Sequence, residues 1–566
     1  MTPLDPFLRR TRVAYFSMEI ALRPEIHTYS GGLGMLAGDT ARSCADLEMP
    51  VVFVTLISRA GYLRQEISPE GRQIDQPDPW EPEEWATPLG AKIVVEVEGR
   101  EVWVRPWLYQ LEGGAGYRVP VLLLDADLDE NAPEDRRLTD RLYGGDDVYR
   151  LKQEMLLGLG GVRLLRSLGF EIQTYHLNEG HSALLTLELL KRHRLAPEML
   201  RPGDFAYDTS EVRGRCVFTT HTPVDAGHDR FPYPLVERVL GEVIDYDQLR
   251  TLAGSDSLNM TRLALSLSGF VNGVAERHAE TAHRMFPAFR VRAITNGVHP
   301  PTWTHASFAR LYQAHFPHWQ HEPELLVRAD QLPDDAVWAA HARAKQALVA
   351  RVQEIAGVAL DPELPLLGFA RRMTGYKRPE LLFSDLDRLR AIARRHPFQI
   401  VLAGKAHPRD LAGKQTIERL HGHIRELAGA VPAVFLPNYD MALARDLVAG
   451  ADLWLNTPLP PLEASGTSGM KATLNGVLNF SVLDGWWLEG CIEGRTGWAI
   501  GDDAGVGEHG GDARDLYAKL EVLILPLYHG DRARWIWMMK EAIGKIASYF
   551  NSQRMMRRYA SEAYFR

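Results

Sequence analysis

One amine lies inside a run of small and hydroxylated residues, Glu463-Ala-Ser-Gly-Thr-Ser-Gly-Met-Lys471, followed by Ala-Thr-Leu-Asn-Gly476. Glycines let the backbone approach an anion closely, and Ser/Thr hydroxyls add donors beside the main-chain N–H groups. A helix opening over 470–477 would add its N-terminal N–H groups to the same cradle. An amine beside it suits a Schiff base with an aldehyde cofactor that carries a phosphate. Composition alone also allows a plain turn with Lys471 as a surface charge.

A second group supports the chemical reading. Arg371, Arg372, Lys377 and Arg378 place four cations in eight residues, directly after the apolar run Pro365–Ala370. In a chain of formal net charge −9, such a cluster at a strand end reads as an anion site. The third group is the loop Tyr29-Ser-Gly-Gly-Leu-Gly34. Two histidine-bearing segments complete the set, Tyr175-His-Leu-Asn-Glu-Gly-His181 and Val217-Phe-Thr-Thr-His221. His176 and His181 are five apart, about 140° around a helix, so no shared metal is expected.

These residues need elements that bring them together. Val13–Met18 and Val51–Ile57 read as buried strands, with a helix over Met35–Met49 between them. The glycine loop then falls inside a βαβ unit, where α/β sheets bind ligands. A helical pattern follows from Leu151 to about Leu168, and 294–299 reads as strand then turn. Pro365–Ala370, Phe398–Ala403, Ala433–Leu436 and Leu453–Asn456 read as four further strands, each running into a charged or Gly-bearing turn. From Leu516 onward the pattern is helical. The expectation is an α/β protein of two doubly wound domains facing across a cleft, 1–297 and 298–566, with the C-terminal helices returning to the first.

Composition bounds the partners. The chain has 566 residues, 45% hydrophobic and 24% charged. Its acidic balance argues against nucleic acid or an anionic membrane as main partner. No 18-residue apolar run and no apolar signal segment are present, and three scattered cysteines form no framework. A cytoplasmic location is expected, with the oligomeric state open and a homodimer in view.

The string E-A-S-G-T-x-x-M-K with L-N-G resembles the cofactor-lysine signature of the α-glucan phosphorylases, the glycogen and maltodextrin phosphorylase family, in its short bacterial and archaeal form. The resemblance covers most of the chain and is strongest at 13–62, 142–181, 217–223, 294–303 and 368–480. It implies a GT-B fold, pyridoxal 5′-phosphate on Lys471, and phosphorolysis of an α-1,4-glucan or maltooligosaccharide to glucose 1-phosphate. Arg372 and Lys377 would hold inorganic phosphate, and His221 would contact the reacting glucosyl ring. Thr467, Ser468, Arg371, Tyr439, Trp303 and Lys405 would surround the cofactor. Gly31, Gly32, Gly34, Asp147, His181, Asn296, Glu463, Ser465 and Gly466 would contact substrate. Asp147 would belong to a mobile gate loop, Leu142–Asp147.

By the same resemblance the substrate phosphate protonates the glycosidic oxygen and then attacks the anomeric carbon on the same face. Glu463 would hold hydroxyls and would not act as nucleophile. Two departures stand out: Asp440 follows Tyr439 where animal-type enzymes carry arginine, and Ala21 replaces an aromatic. The short segment before Val13 leads us to expect activity without phosphorylation or an obligatory nucleotide activator. A nucleotide-sugar GT-B synthase and a non-catalytic glucan-binding protein are the competing readings.

Overall fold

The computed structural model describes residues 3–201, 203–501 and 510–565. Two sheets dominate it. The first has ten strands. Its parallel core runs, in spatial order, Arg118–Asp125, Val51–Leu56, Val13–Phe16, Thr174–Asn178, Cys216–Thr219, Phe270–Gly273 and Arg292–Ala293. Val13 pairs with Val51 on one side and Thr174 on the other. The central strands are buried along their whole length, which is why they read as continuous apolar runs without alternation. An antiparallel extension that the apolar pattern did not announce completes the sheet. It comprises Arg100–Glu112 against Arg118–Asp125, with Ile93–Val97 and Thr87–Pro88 outside it.

The second sheet has six parallel strands in the order Ala433–Leu436, Gln399–Ala403, Leu366–Ala370, Leu453–Asn456, Leu478–Val482 and Gly497–Ile500. Numbered along the chain this is 3-2-1-4-5-6, the doubly wound order that binds ligands where the winding direction reverses. The reversal lies between Leu366–Ala370 and Leu453–Asn456. Their carboxyl ends feed the basic segment and the Glu463 loop respectively. In the first sheet the reversal lies between Val13–Phe16 and Thr174–Asn178, whose ends feed Glu19 and Glu179.

The helix after the first strand spans Gly32–Asp46, earlier than the apolar pattern implied. The reason is Glu19, whose carboxylate accepts from Ser30 N (2.7 Å) and Gly31 N (3.1 Å) ahead of the first turn. That satisfies donors and favours the positive end of the helix, so glycine can begin it. Conversely, the helix carrying Lys471 is short, Ser468–Thr473, because Gly476 at φ +69 turns the chain into the next strand.

Two devices join the halves. The hairpin Arg64–Ile67 and Gln73–Gln76 docks on the second sheet. Gln65 Nε2 donates to Gly404 O (2.8 Å), and Gln73 Nε2 to Ala406 O (2.9 Å). The C-terminal helix Ser552–Tyr559 returns to the first sheet. There Ser552 Oγ meets Ser43 Oγ (2.6 Å), and the Tyr559 hydroxyl meets Thr219 Oγ1 (3.0 Å). Tyr564 OH lies 2.6 Å from His176 Nδ1. Gly297 is required at this crossing, because a Cβ there would lie 2.2 Å from the Asn551 backbone. No helix among the described residues is long and apolar enough to cross a membrane.

Candidate active site

The basic segment leaves its strand as a short turn, Gly375–Lys377, and Arg378 takes a left-handed conformation at φ +45. That bend aims the Arg378 guanidinium at Thr457 O (3.0 Å) and Pro458 O (2.7 Å), while Thr457 Oγ1 donates back to Lys377 O (3.0 Å). The two loops at the reversal are thereby tied together, and Arg378 is spent on structure. Arg371 Nη2 donates to Glu463 Oε2 (2.6 Å), and Lys377 Nζ donates to the same oxygen. All three side chains are at most about one-tenth exposed.

Burial would raise the Glu463 carboxyl, but Lys377 and Arg371 outweigh it and hold it at about 2. Burial and Arg371 push the Lys377 ammonium below its ordinary value. Behind Glu463 sits Asp484, which accepts from Glu463 N (2.8 Å) and Gly485 N (2.9 Å). Burial pushes its carboxyl up to about 7. Two buried polar atoms here have no hydrogen-bond partner, Arg371 Nη1 and Ser465 Oγ.

Arg372 differs from its neighbours. It is exposed in the cleft, and its guanidinium makes no hydrogen bond or ion pair among the described residues. A Cβ on Gly31 would lie 3.5 Å from Arg372 Cδ, so the glycine loop of the first domain faces this cation directly. Glu19, Tyr62 and Tyr143 add their electrostatic influence from the first domain. A side chain on Gly34 would meet Glu19 Oε2 at 2.6 Å, whereas Gly32 has open space.

Lys471 is buried, with Nζ 3.8 Å from the centre of the Trp303 ring. Burial lowers its ammonium to about 8, with Asp39 opposing and Arg42 adding to the fall. The L-N-G end of the motif serves Trp303. Asn475 Nδ2 donates to Trp303 O (2.9 Å), and Asn475 Oδ1 accepts from His305 N (2.7 Å). Thr467 caps the helix through its carbonyl, which accepts from Lys471 N (3.3 Å). Ser468 Oγ accepts from Trp454 Nε1 (3.0 Å). Gly466 turns at φ +83.

Tyr439 lies within electrostatic reach of Arg371, and burial pushes its phenol up. Asp440 caps the helix Met441–Gly450, accepting from Leu443 N (2.8 Å). This accounts for a carboxylate at that position, since helix N-termini favour one. The Lys405 amine spans to the first domain and donates to Leu63 O (2.9 Å).

In the first domain, His221 Nε2 lies 2.7 Å from Asn178 Oδ1, and His221 N donates to Glu179 Oε2 (2.7 Å). Burial drives the His221 imidazole down to about 3, so the ring is neutral. His181 is neutral for the same reason, beside Asp229 at 3.5 Å. Asn296 is buried with Oδ1 unpartnered. Asp147 is exposed in the first turn of the helix Asp147–Met155. The residue of that segment that reaches the cleft is Tyr143, whose hydroxyl donates to Glu19 Oε1 (2.8 Å). Tyr143, Glu19, Asn178, Glu179, Asp484 and Asp39 were not singled out from the sequence as site residues. Glu19 lies just beyond one buried strand and Asn178 ends another, which was the available signal. Among the described residues no group of three or more His, Cys, Asp or Glu is placed to hold a metal ion.

Two doubly wound domains whose reversal points face one another, one presenting glycines and carboxylates and the other cations and a buried amine, define a GT-B type α/β protein with a cleft between its halves. Comparison with known proteins sharpens this. The carbohydrate phosphorylase family model matches residues 237–493. Maltodextrin phosphorylase of Thermococcus litoralis is 39% identical over 98% of this chain and 70% of its own length. Glycogen phosphorylase of Aquifex aeolicus is 35% identical over 98% of this chain and 86% of its own. Glycogen phosphorylase of Mycobacterium tuberculosis is 34% identical over 98% and 71%. The chain belongs to the carbohydrate phosphorylase family.

Proposed function

We propose that this protein cleaves α-1,4-glucan with inorganic phosphate, releasing α-D-glucose 1-phosphate, with pyridoxal 5′-phosphate held on Lys471. The observation that carries the reading is Arg372. Among the described residues it has no ion-pair partner, and it lies opposite a glycine loop, next to two cations that Glu463 already holds together. Such a place suits a dianion that must sit close to a second phosphate, where like charges would otherwise repel.

The residues present fit the cofactor. A buried amine of lowered proton affinity rests on an indole, and the unpartnered Arg371 Nη1 offers a donor for an anionic group. Thr467, Ser468 and Tyr439 are the further residues we assign to it. Bound there, its phosphate group supplies an acid or electrostatic partner to the substrate phosphate. Lys405, committed to a carbonyl across the cleft, fits a role in holding the two halves better than direct cofactor contact.

The protein's own residues then do the following. Arg372 and Lys377 bind and orient phosphate, and their charge offsets the dianion. Gly31 and Gly32 leave room for its oxygens, with Ser30 and Gly31 N–H groups shared with Glu19, and Gly34 makes room for the Glu19 carboxylate. His221, fixed through Asn178 and Glu179, places a neutral imidazole beside the glucosyl ring. Glu463, Ser465, Gly466, His181 and Asn296 hold hydroxyls. We place the domain boundary at 297/298.

A coupled assay tests this against the synthase reading. Maltodextrin with phosphate is expected to give glucose 1-phosphate, and a nucleoside diphosphate glucose is expected to give no chain extension. Extension from the nucleotide sugar without phosphate-dependent product would favour the synthase.

A further inference from the structure

Asp39 lies midway along the helix Gly32–Asp46 and is 1% exposed, yet the phosphate chemistry above does not use it. Both its oxygens accept the Trp303 indole N–H, at 3.0 and 2.8 Å. Arg42 Nη1 lies 3.5 Å from Asp39 Oδ1, and Arg42 Nη2 is spent on Ala21 O (3.0 Å) and Leu22 O (2.7 Å). Lys471 lies over the ring of that same indole. One carboxylate from the first domain thus grips the indole of Trp303, just beyond the domain boundary, and the indole in turn supports the lysine of the second domain.

Several charges face this spot. Asp39 attracts the Lys471 ammonium, Arg42 repels it, and Arg445 on the helix Met441–Gly450 also faces Asp39. A backbone carbonyl would satisfy an indole N–H at less desolvation cost than a buried carboxylate. Besides holding the ring, the charge is paired with Arg42 and lies against Arg445 and the Lys471 amine.

We propose that Asp39 is a positioning residue for Lys471, fixing the indole surface under the amine and holding the amine protonated until a carbonyl ligand arrives. The proposal rests on the reading that Lys471 carries the cofactor. In the step concerned, the unprotonated Lys471 nitrogen attacks the aldehyde carbon with its lone pair. A C=N bond replaces the C=O bond, and the oxygen leaves as water with the two amine protons. Only the free base attacks, so a carboxylate that favours the ammonium sets the pH at which condensation begins.

The effect of each substitution follows. Asp39→Asn keeps an oxygen for the indole N–H and removes the charge, so the amine loses its proton at lower pH. Trp303→Phe weakens the ring's hold on the ammonium and also removes the N–H that Asp39 accepts, two effects of opposite sign on the amine. Asp39→Glu retains the charge and is the conservative control.

The test uses the full chain freed of carbonyl ligand with hydroxylamine and then exposed to pyridoxal phosphate across pH 6–9. Borohydride traps the product, and peptide mapping quantifies the adduct on Lys471 against time. The wild-type rate is expected to rise with pH around a midpoint. Asp39→Asn is expected to move that midpoint down by about one unit, a tenfold change in the pH-dependent rate. Asp39→Glu is expected to stay near wild type. A purely structural role would not move the midpoint in Asp39→Asn while leaving it at the wild-type value in Asp39→Glu. An adduct on Lys471 with the same midpoint in all four proteins overturns the proposal and leaves the parent reading standing. An adduct absent from wild-type Lys471 overturns both.

Discussion

Replacing Glu463 with glutamine removes the one carboxylate that Arg371 and Lys377 share. Its pKa of about 2 against an ordinary 4.5 corresponds to roughly 3 kcal/mol of folded-state preference at neutral pH. Because the folded value is depressed, this contribution is present above about 4.5 and is lost as pH falls through about 2. The side chains are nearly buried, so solvent screens little of it. An independent route gives a similar size, since removing one partner of a buried ion pair costs about 3–5 kcal/mol. Glu463→Gln is therefore expected to unfold several degrees earlier than wild type near pH 7. If the cluster is an anion site, phosphate supplies the missing charge. Thermal unfolding across a phosphate titration, against chloride at matched ionic strength, should show a steeper phosphate-dependent rise in the variant. A midpoint within about 1 kcal/mol of wild type, or equal phosphate stabilisation of both proteins, would refute the reasoning.

Arg372→Ala removes a side chain with no hydrogen bond or ion pair among the described residues, so stability is expected to change by no more than about 0.5 kcal/mol while the half-saturating phosphate concentration rises at least about tenfold. Steady-state kinetics beside a melting curve checks both halves. Lys377→Ala should weaken phosphate use far more than glucan binding and also lower stability, because it leaves Glu463 less well paired; an unchanged phosphate dependence would show that Lys377 serves only to pair Glu463. Asp452 is a separate structural case, buried between His341 (2.8 Å) and Lys345 (2.6 Å) and held at about 2 against the burial that would raise it. Asp452→Ala is expected to cost about 3 kcal/mol or more in denaturant unfolding. Asp484 has the opposite sign: raised to about 7 by burial, it favours the folded state below about 4 and loses that contribution as pH rises through about 7. Asp484→Asn should flatten the stability profile between those values.

What could be read from the chain was what lies close together in it. The Lys471 string, the basic turn after Pro365–Ala370 and the glycine loop are contiguous, and buried parallel strands announce themselves as apolar runs. Two doubly wound sheets follow from that pattern. What could not be read were pairings across hundreds of residues. Asp39 and Trp303 are 264 positions apart, and Arg371 and Glu463 are 92. Apolar periodicity reports which face is covered and says nothing of which buried polar groups satisfy one another. The glycines of Gly32–Asp46 hid the start of that helix, because Glu19 supplies its cap from outside. The segment around Asp147 was legible as a turn and helix, but the left-handed Tyr143 at φ +55, which carries the contact to Glu19, was not.

The central claim is retaining phosphorolysis in this cleft, and phosphorus NMR of one reaction tests it most directly. Purified protein with pyridoxal phosphate, a short maltooligosaccharide and inorganic phosphate is predicted to convert the phosphate signal into that of α-D-glucose 1-phosphate. One equivalent should form for each glucosyl unit lost. Free glucose with the phosphate signal unchanged, or the β-anomer as first product, would contradict the account.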